Sequence, residues 1–420
     1  MTPRLTRRRF VAVSTAAALA VGGGIAALVD RLVAGGGSVE LGPQPPGLPP
    51  RQHSWDATLV KDSHGNVVAP RHVRLLFFEL DGQPSPDDAR TLEAALRTLE
   101  RRFPWGPGGL LFTVGWGPRY FERALGVASP VPHPEPLASF ELPTLDAYDA
   151  CLHVACDDEA RLDSVVAALV HGGSLAGADG PLDLRPVLGL REVRTGFVGE
   201  RLPAAHQDVA GIPAGKPVPA AAPLYMGFKS GFRRNQASED DVTIREGPFA
   251  GGTTMHVSRM RLRLDSWYGL LDEQERVARM YAPQLTKAQV DRFTTDAPSR
   301  PEHLAADAER YGVVGHSQAS AVARRNGRPL ILRRDFDTTD GGEAGLHFVA
   351  LQRSNADFVT TRKAMNAARA STLNPAITET QNNGINEFIF VTRRANYLVP
   401  PRAQRAFPLL PGREAALAHA

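Results

Sequence analysis

Few residues of this chain combine a reactive side chain with an unusual setting, and His316 is the clearest. It lies in Val313-Val314-Gly315-His316-Ser317-Gln318, after a polar loop and seventeen residues before Arg333. An imidazole there can ligate a metal or move a proton. It can equally be a satisfied structural histidine, and the residues alone leave both open. The other histidines carry less: His153, His256 and His347 fall in strand-like runs, and His53, His64, His133 and His419 in loops or tails. Gly227-Phe228-Lys229-Ser230-Gly231 resembles a phosphate loop only superficially, because the Gly-Lys-Ser/Thr order is missing. Gly315-His316-Ser317 lacks the second glycine of a nucleophile elbow, and no second histidine pairs with His347 as in a zincin. Cys151 and Cys156 are too few for a disulfide scaffold and are not spaced as zinc ligands. A hydrolase has no support.

These residues need a scaffold, and the periodicity supplies one. Arg74 to Leu80 reads as a buried strand, followed by a helix from Ser85 to about Arg102 that opens with a cap and an acidic first turn. Leu110 to Gly117 and Ala150 to Cys156 are strands, Arg161 to Val170 continues a helix, and Leu190 to Phe197 is a fourth strand. That is the ferredoxin-like order. It repeats: a strand over Thr253–Leu264, a helix from Asp265 through Val277, strands at Leu330–Leu332 and Leu346–Leu351, a helix over Asp357–Ala370, then strands at Phe388–Val391 and Tyr397–Val399. The fold class is α+β, two ferredoxin-like domains with antiparallel sheets, over residues 70–205 and 222–410. A Pro- and Ala-rich linker, Leu202 to Pro223, divides them.

The 420 residues are 43% apolar and 22% charged, the balance of a globular protein. Lys and Arg exceed Asp and Glu by 48 to 45. Arg4, Arg7, Arg8 and Arg9 account for that excess, so a nucleic-acid partner is not implied. Paired arginines before Phe10, then an Ala/Gly-rich apolar run to Val29, are the grammar of a twin-arginine signal peptide over residues 1–33. The expected partner is the twin-arginine translocase, and the expected location is periplasmic, extracellular or anchored on the outer face of the membrane. A Gly/Pro-rich tether over residues 34–57 follows. Such export carries folded proteins, so a cofactor inserted in the cytoplasm is compatible with it.

From about Val73 to Pro401 the chain resembles the dye-decolorising (DyP-type) haem peroxidases. The resemblance rests on Leu111-Phe112-Thr113-Val114-Gly115-Trp116-Gly117-Pro118 with Phe121, on Cys151 to Asp158, on Phe249 to Thr253 with Arg259–Leu264, Trp267 and Glu273–Glu275, and on Gly345 to Arg353 with Phe358. It implies two ferredoxin-like domains, one haem b (iron protoporphyrin IX), and oxidation of an organic donor by hydrogen peroxide; a homo-oligomer is compatible with it. It makes His316 the proximal iron ligand and Arg333 the distal arginine, with Arg334 as the alternative. Glu387, in Asn386-Glu387-Phe388-Ile389, becomes the acceptor of the imidazole's other N–H, which makes the ligand more electron-donating. Gly227, Phe228 and Gly231 belong to the loop that covers the distal face.

That loop also departs from the family. Its hallmark is Gly-Phe-x-Asp-Gly, and this chain has Ser230 in place of the aspartate that shuttles the peroxide proton. A serine hydroxyl barely ionises, so its role reduces to holding a relaying water, at a typical cost of ~10²–10⁴-fold in rate. Arg333 can still stabilise charge on the departing oxygen. Glu239, Asp240 and Asp241 are nearby substitutes in sequence, and Trp267, Tyr268 and Tyr397 are candidate exits for electrons. The leading expectation is an exported haem peroxidase of reduced activity. The alternatives are a non-catalytic haem-binding protein of the cell envelope and a haem-free relative that binds another ligand.

Overall fold

The computed structural model describes residues 39–418. The twin-arginine segment lies outside the described residues. The expected tether does not hang free where it is described. Leu41, Gln52, His53 and Trp55 are buried, and the Gln52 amide donates to the carbonyls of Val114 and Pro400 at 3.2 and 2.8 Å. A buried amide that satisfies a carbonyl within β2 and one just past β9 holds this segment against the body.

Nine strands carry the fold: β1 (His72–Glu79), β2 (Leu111–Trp116), β3 (Ala150–Cys156), β4 (Gly189–Phe197), β5 (Thr253–Leu262), β6 (Leu332–Arg333), β7 (Phe336–Thr338), β8 (Gly345–Gln352) and β9 (Ile389–Val399). The first half has the order β4-β1-β3-β2 and the second β9-β5-β8 with β6 and β7 beyond, so the ferredoxin-like order occurs twice. The halves join edge to edge. Leu398 of β9 pairs with Trp116 of β2, and Asp337 of β7 with Phe197 of β4. The sheet therefore closes on itself, which leaves no long edge strand exposed.

Alternation along β1 shows how sequence builds this wall. Leu75 and Phe77 face the interior, where they meet Cys151, Met255, Val257, Val349, Ala395 and Tyr397 from four other strands. Leu76 and Phe78 face outward onto Leu92, Leu96 and Leu99 of α1 (Pro86–Arg102). Both faces of β1 are covered, so its apolar run is continuous. Ser85 caps α1 reciprocally with Asp88, and α2 (Glu159–Val170) packs beside it.

Three expected elements differ in extent. The helix from Asp265 is two helices, α3 (Leu264–Gly269) and α4 (Glu273–Met280), because Asp272 caps a new start by accepting from the Glu275 N–H. The two final strands are one, β9, with an irregularity between Val391 and Arg393. The strand at Leu330 begins only at Leu332, pairing with Leu351. Two further helices matter below: α5 (His316–Ser320), only five residues long, and α6 (Asn355–Met365).

Candidate active site

The loop 227–231 is held from below by aromatic packing. Phe228 is buried edge-on to Tyr281 and Trp267, with ring centres 5.5 and 6.4 Å away. The Tyr281 hydroxyl donates to the Lys229 carbonyl at 3.2 Å, and Lys229 Nζ pairs with Asp62 at 3.0 Å. Gly227 has φ +87°, and a Cβ there would stand 2.6 Å from the Tyr268 hydroxyl. Only glycine fits both the conformation and the space. Gly231, also at positive φ, lets the chain leave the turn. Ser230 and Gly231 thereby line a cavity of about 1510 Å³ on the inner side of the loop. Gly227 and Phe228 support it without lining it.

Arg333 and Arg334 reach the same cavity but are used differently. The Arg334 guanidinium lies 3.9 Å from the centre of the Trp55 ring and donates to the His53 carbonyl at 2.6 Å and to Glu239 Oε1 at 3.0 Å. It is a buried clamp. Arg333 is held by one acceptor, the Gln236 side-chain oxygen, 3.0 Å from its backbone N–H and 3.4 Å from Nε. Among the described residues it forms no ion pair, so its terminal nitrogens are available.

The three acids that follow the loop are already engaged. Glu239 also accepts from the Trp55 and Asp56 N–H groups at 2.5 and 3.0 Å, and burial pushes its carboxyl above the usual range. Asp240 pairs with Arg51. Asp241 pairs with Arg328 at 3.2 Å; its bonds to Ser238 and Arg328 outweigh burial and lower its pKa. None replaces an acid at position 230. Trp267 donates to the Met226 carbonyl at 3.0 Å, Tyr268 to the Tyr225 carbonyl at 2.7 Å, and Tyr397 is sealed in the barrel. All three are framework.

His316 is the first residue of α5, and its position is forced by two close approaches. A Cβ on Gly315 would lie 1.9 Å from the Tyr281 carbonyl oxygen, and one on Gly384 would lie 2.9 Å from the His316 Cα. Gln318 locks the turn: its side-chain oxygen accepts from the Gly315 N–H at 3.2 Å while its amide donates to Asp307 at 2.7 Å. Burial, assisted by the charges of Arg333 and Arg362, lowers the His316 pKa to about 3. The imidazole is therefore neutral, which is the ligating form. Its Nδ1 is buried without a hydrogen-bond partner. Glu387 thus does not meet it as the resemblance implies. Phe388 and Ile389 beside Glu387 bury into the core, whereas Glu387 itself is half-exposed in the turn before β9.

Ser230, Gly231, Arg333 and Arg334 share one cavity, whereas His316, Glu387, Gly227 and Phe228 do not line it. Arg333 is the link, since its charge is felt at His316. Among the described residues no group of three or more His, Cys, Asp or Glu side chains is arranged to hold a bare metal ion. A single neutral imidazole whose buried Nδ1 lacks a partner does fit the donor that a haem requires, since haem iron needs only one protein ligand. The polar residue that sequence reading undervalued is His153. It was placed correctly on a strand, yet its ring lines the cavity, 1% exposed, beside Trp55 at 5.1 Å.

Residues 70–401 match the family of unknown function DUF7405. No functionally curated protein matches the chain. Many solved structures share the fold, among them the following three. The DyP-type peroxidase from Cellulomonas bogoriensis superposes with a TM-score of 0.56 at 20% identity, covering 83% of this chain and 96% of that one. DyPB from Rhodococcus jostii gives 0.53 at 14% identity, with 85% and 97% covered; a variant of it was solved in complex with heme. The dye-decolorizing peroxidase from Bacteroides thetaiotaomicron gives 0.52 at 14% identity, with 84% and 99% covered.

Proposed function

From a chain that belongs to the DUF7405 family and has the DyP-type peroxidase fold, we propose a haem-dependent peroxidase, exported by the twin-arginine route, that oxidises an organic donor with hydrogen peroxide. The observation that carries this reading is the His316 imidazole: neutral, lacking an intramolecular hydrogen bond, and within the field of an arginine that forms no ion pair. His316 would hold the iron, and Ser230 and Gly231 of the loop 227–231 would border the peroxide site. The chemistry haem supplies when bound is the two-electron reduction of peroxide and the oxidation of a donor.

The protein's own groups divide the remaining work. Arg333 offers terminal N–H donors that bind peroxide and offset negative charge on its departing oxygen. Ser230 lines the cavity and its Oγ makes no hydrogen bond among the described residues, which leaves it free to orient a water. Held there, such a water would carry the peroxide proton in place of a side-chain base. No carboxylate stands in this position, so the relay is slower than one run by a general base. The export reading rests on Arg7, Arg8 and the apolar run that follows them.

The test is an absorbance spectrum of protein expressed with haem supply, beside His316→Ala. A Soret band in the wild type that is lost in the variant, and that changes on adding peroxide, is the expected result. A correctly folded wild type without a Soret band overturns the haem reading. A Soret band inert to peroxide overturns the peroxidase.

A further inference from the structure

The barrel-side wall of the cavity is built for a ligand of a particular shape. Among its lining residues is His153, almost wholly buried, whose Nδ1 has no partner and whose Nε2 makes no hydrogen bond among the described residues. Burial, with the nearby Arg334 charge, lowers its pKa to about 3, so the ring is a neutral donor and acceptor. Trp55, itself clamped by Arg334, packs against it from one side. A buried imidazole held rigid and left unbonded is a group that awaits a partner.

Around it the wall is apolar, with Val73, Ala155 and Leu332 all buried. Toward solvent the character changes. Cations outnumber carboxylates along the lining by nine to six, and Lys229 and Arg328 are spent on Asp62 and Asp241. Arg71, Arg233 and Arg234, all exposed, and Arg333 form no ion pair among the described residues. The cavity thus runs from one neutral polar group, past an apolar belt, to free guanidinium groups.

We propose that this cavity binds a small amphiphilic organic acid, with a hydroxyl or oxo group on His153, an apolar body along Val73 and Leu332, and a carboxylate at Arg333 and the rim arginines. The ligand would be the electron donor; that part rests on the peroxidase reading, while binding itself does not need haem. His153 is a ligand-positioning residue here, distinct from the iron ligand His316.

The experiment is calorimetric titration of the full-length protein with 4-hydroxycinnamate, and with cinnamate, which lacks the hydroxyl. Saturable binding of 4-hydroxycinnamate about tenfold tighter than cinnamate is expected, the scale of one buried hydrogen bond. His153→Phe should remove that preference, and Arg333→Gln should weaken both acids and flatten their salt dependence. Should His153→Phe not fold, the preference in the wild type decides alone. No saturable binding, or equal affinity for the two acids, overturns the proposal. The same titration on His316→Ala separates the two readings: binding retained there stands whether or not the protein holds haem, and binding lost there overturns the haem-independent site.

Discussion

Arg334 lies flat against Trp55, 3.9 Å from the ring centre, and this contact decides which of two adjacent arginines is chemically available. Both arginines line the same cavity, but their partners differ. Once Trp55, His53 and Glu239 hold Arg334, its neighbour Arg333 keeps its terminal nitrogens for the cavity.

The two arginines should therefore separate on substitution. Arg334→Leu leaves Glu239 buried beside an apolar side chain and should cost about 3 kcal/mol of stability, the scale of a broken buried pair. Arg333→Gln should leave the melting temperature within a degree or two and abolish reaction with peroxide. Calorimetry and stopped-flow absorbance on the two variants check this; equal effects on stability would refute it.

Ser230→Asp restores a carboxylate where the proton relay lacks one. The rate of reaction with peroxide should rise by ~10²-fold or more, within the range for a positioned general base. A rate that stays at the wild-type value would show that the relay is not limiting.

Acid should destabilise the fold early. His53, His153 and His316 are each held at a pKa of about 3, chiefly by burial, against 6.5 in the unfolded chain. Between those values the unfolded state binds more protons, so stability is intact above pH 6.5 and falls as pH drops toward 3. Urea unfolding at pH 7, 6, 5 and 4 should show the midpoint falling, and His153→Gln should make the fall shallower.

Gly315→Ala places a Cβ against the Tyr281 carbonyl oxygen. Either α5 moves or the turn opens, so stability should drop by about 2 kcal/mol or more. If haem is bound, its absorbance should shift as His316 is displaced. Thermal melts and spectra taken on one preparation test both.

How far the sequence could be read depends on the range of the forces involved. The capped helix at Ser85, the buried run of β1 and the twice-repeated strand–helix order are local patterns, set by alternation and capping within a few residues. They were legible, as was the break in the distal motif at Ser230. The division of α3 from α4 was missed because the Asp272 cap competes with an unbroken apolar period. His153 was legible as a strand residue but not as a cavity residue. Which face of β3 opens to a cavity depends on Trp55, a residue read from sequence as part of a tether.

The sequence by itself thus determined the α+β repeat, the candidates His316, Ser230 and Arg333, and the missing acid. Tertiary structure alone decided that the two sheets close into one wall through single pairs at Leu398 with Trp116 and Asp337 with Phe197. It also decided that Arg334 is clamped, that the His316 Nδ1 has no hydrogen-bond partner, and that His153 lines the cavity. These outcomes turn on contacts between residues far apart in the chain, such as Trp55 with Arg334. No period or spacing within a segment encodes them.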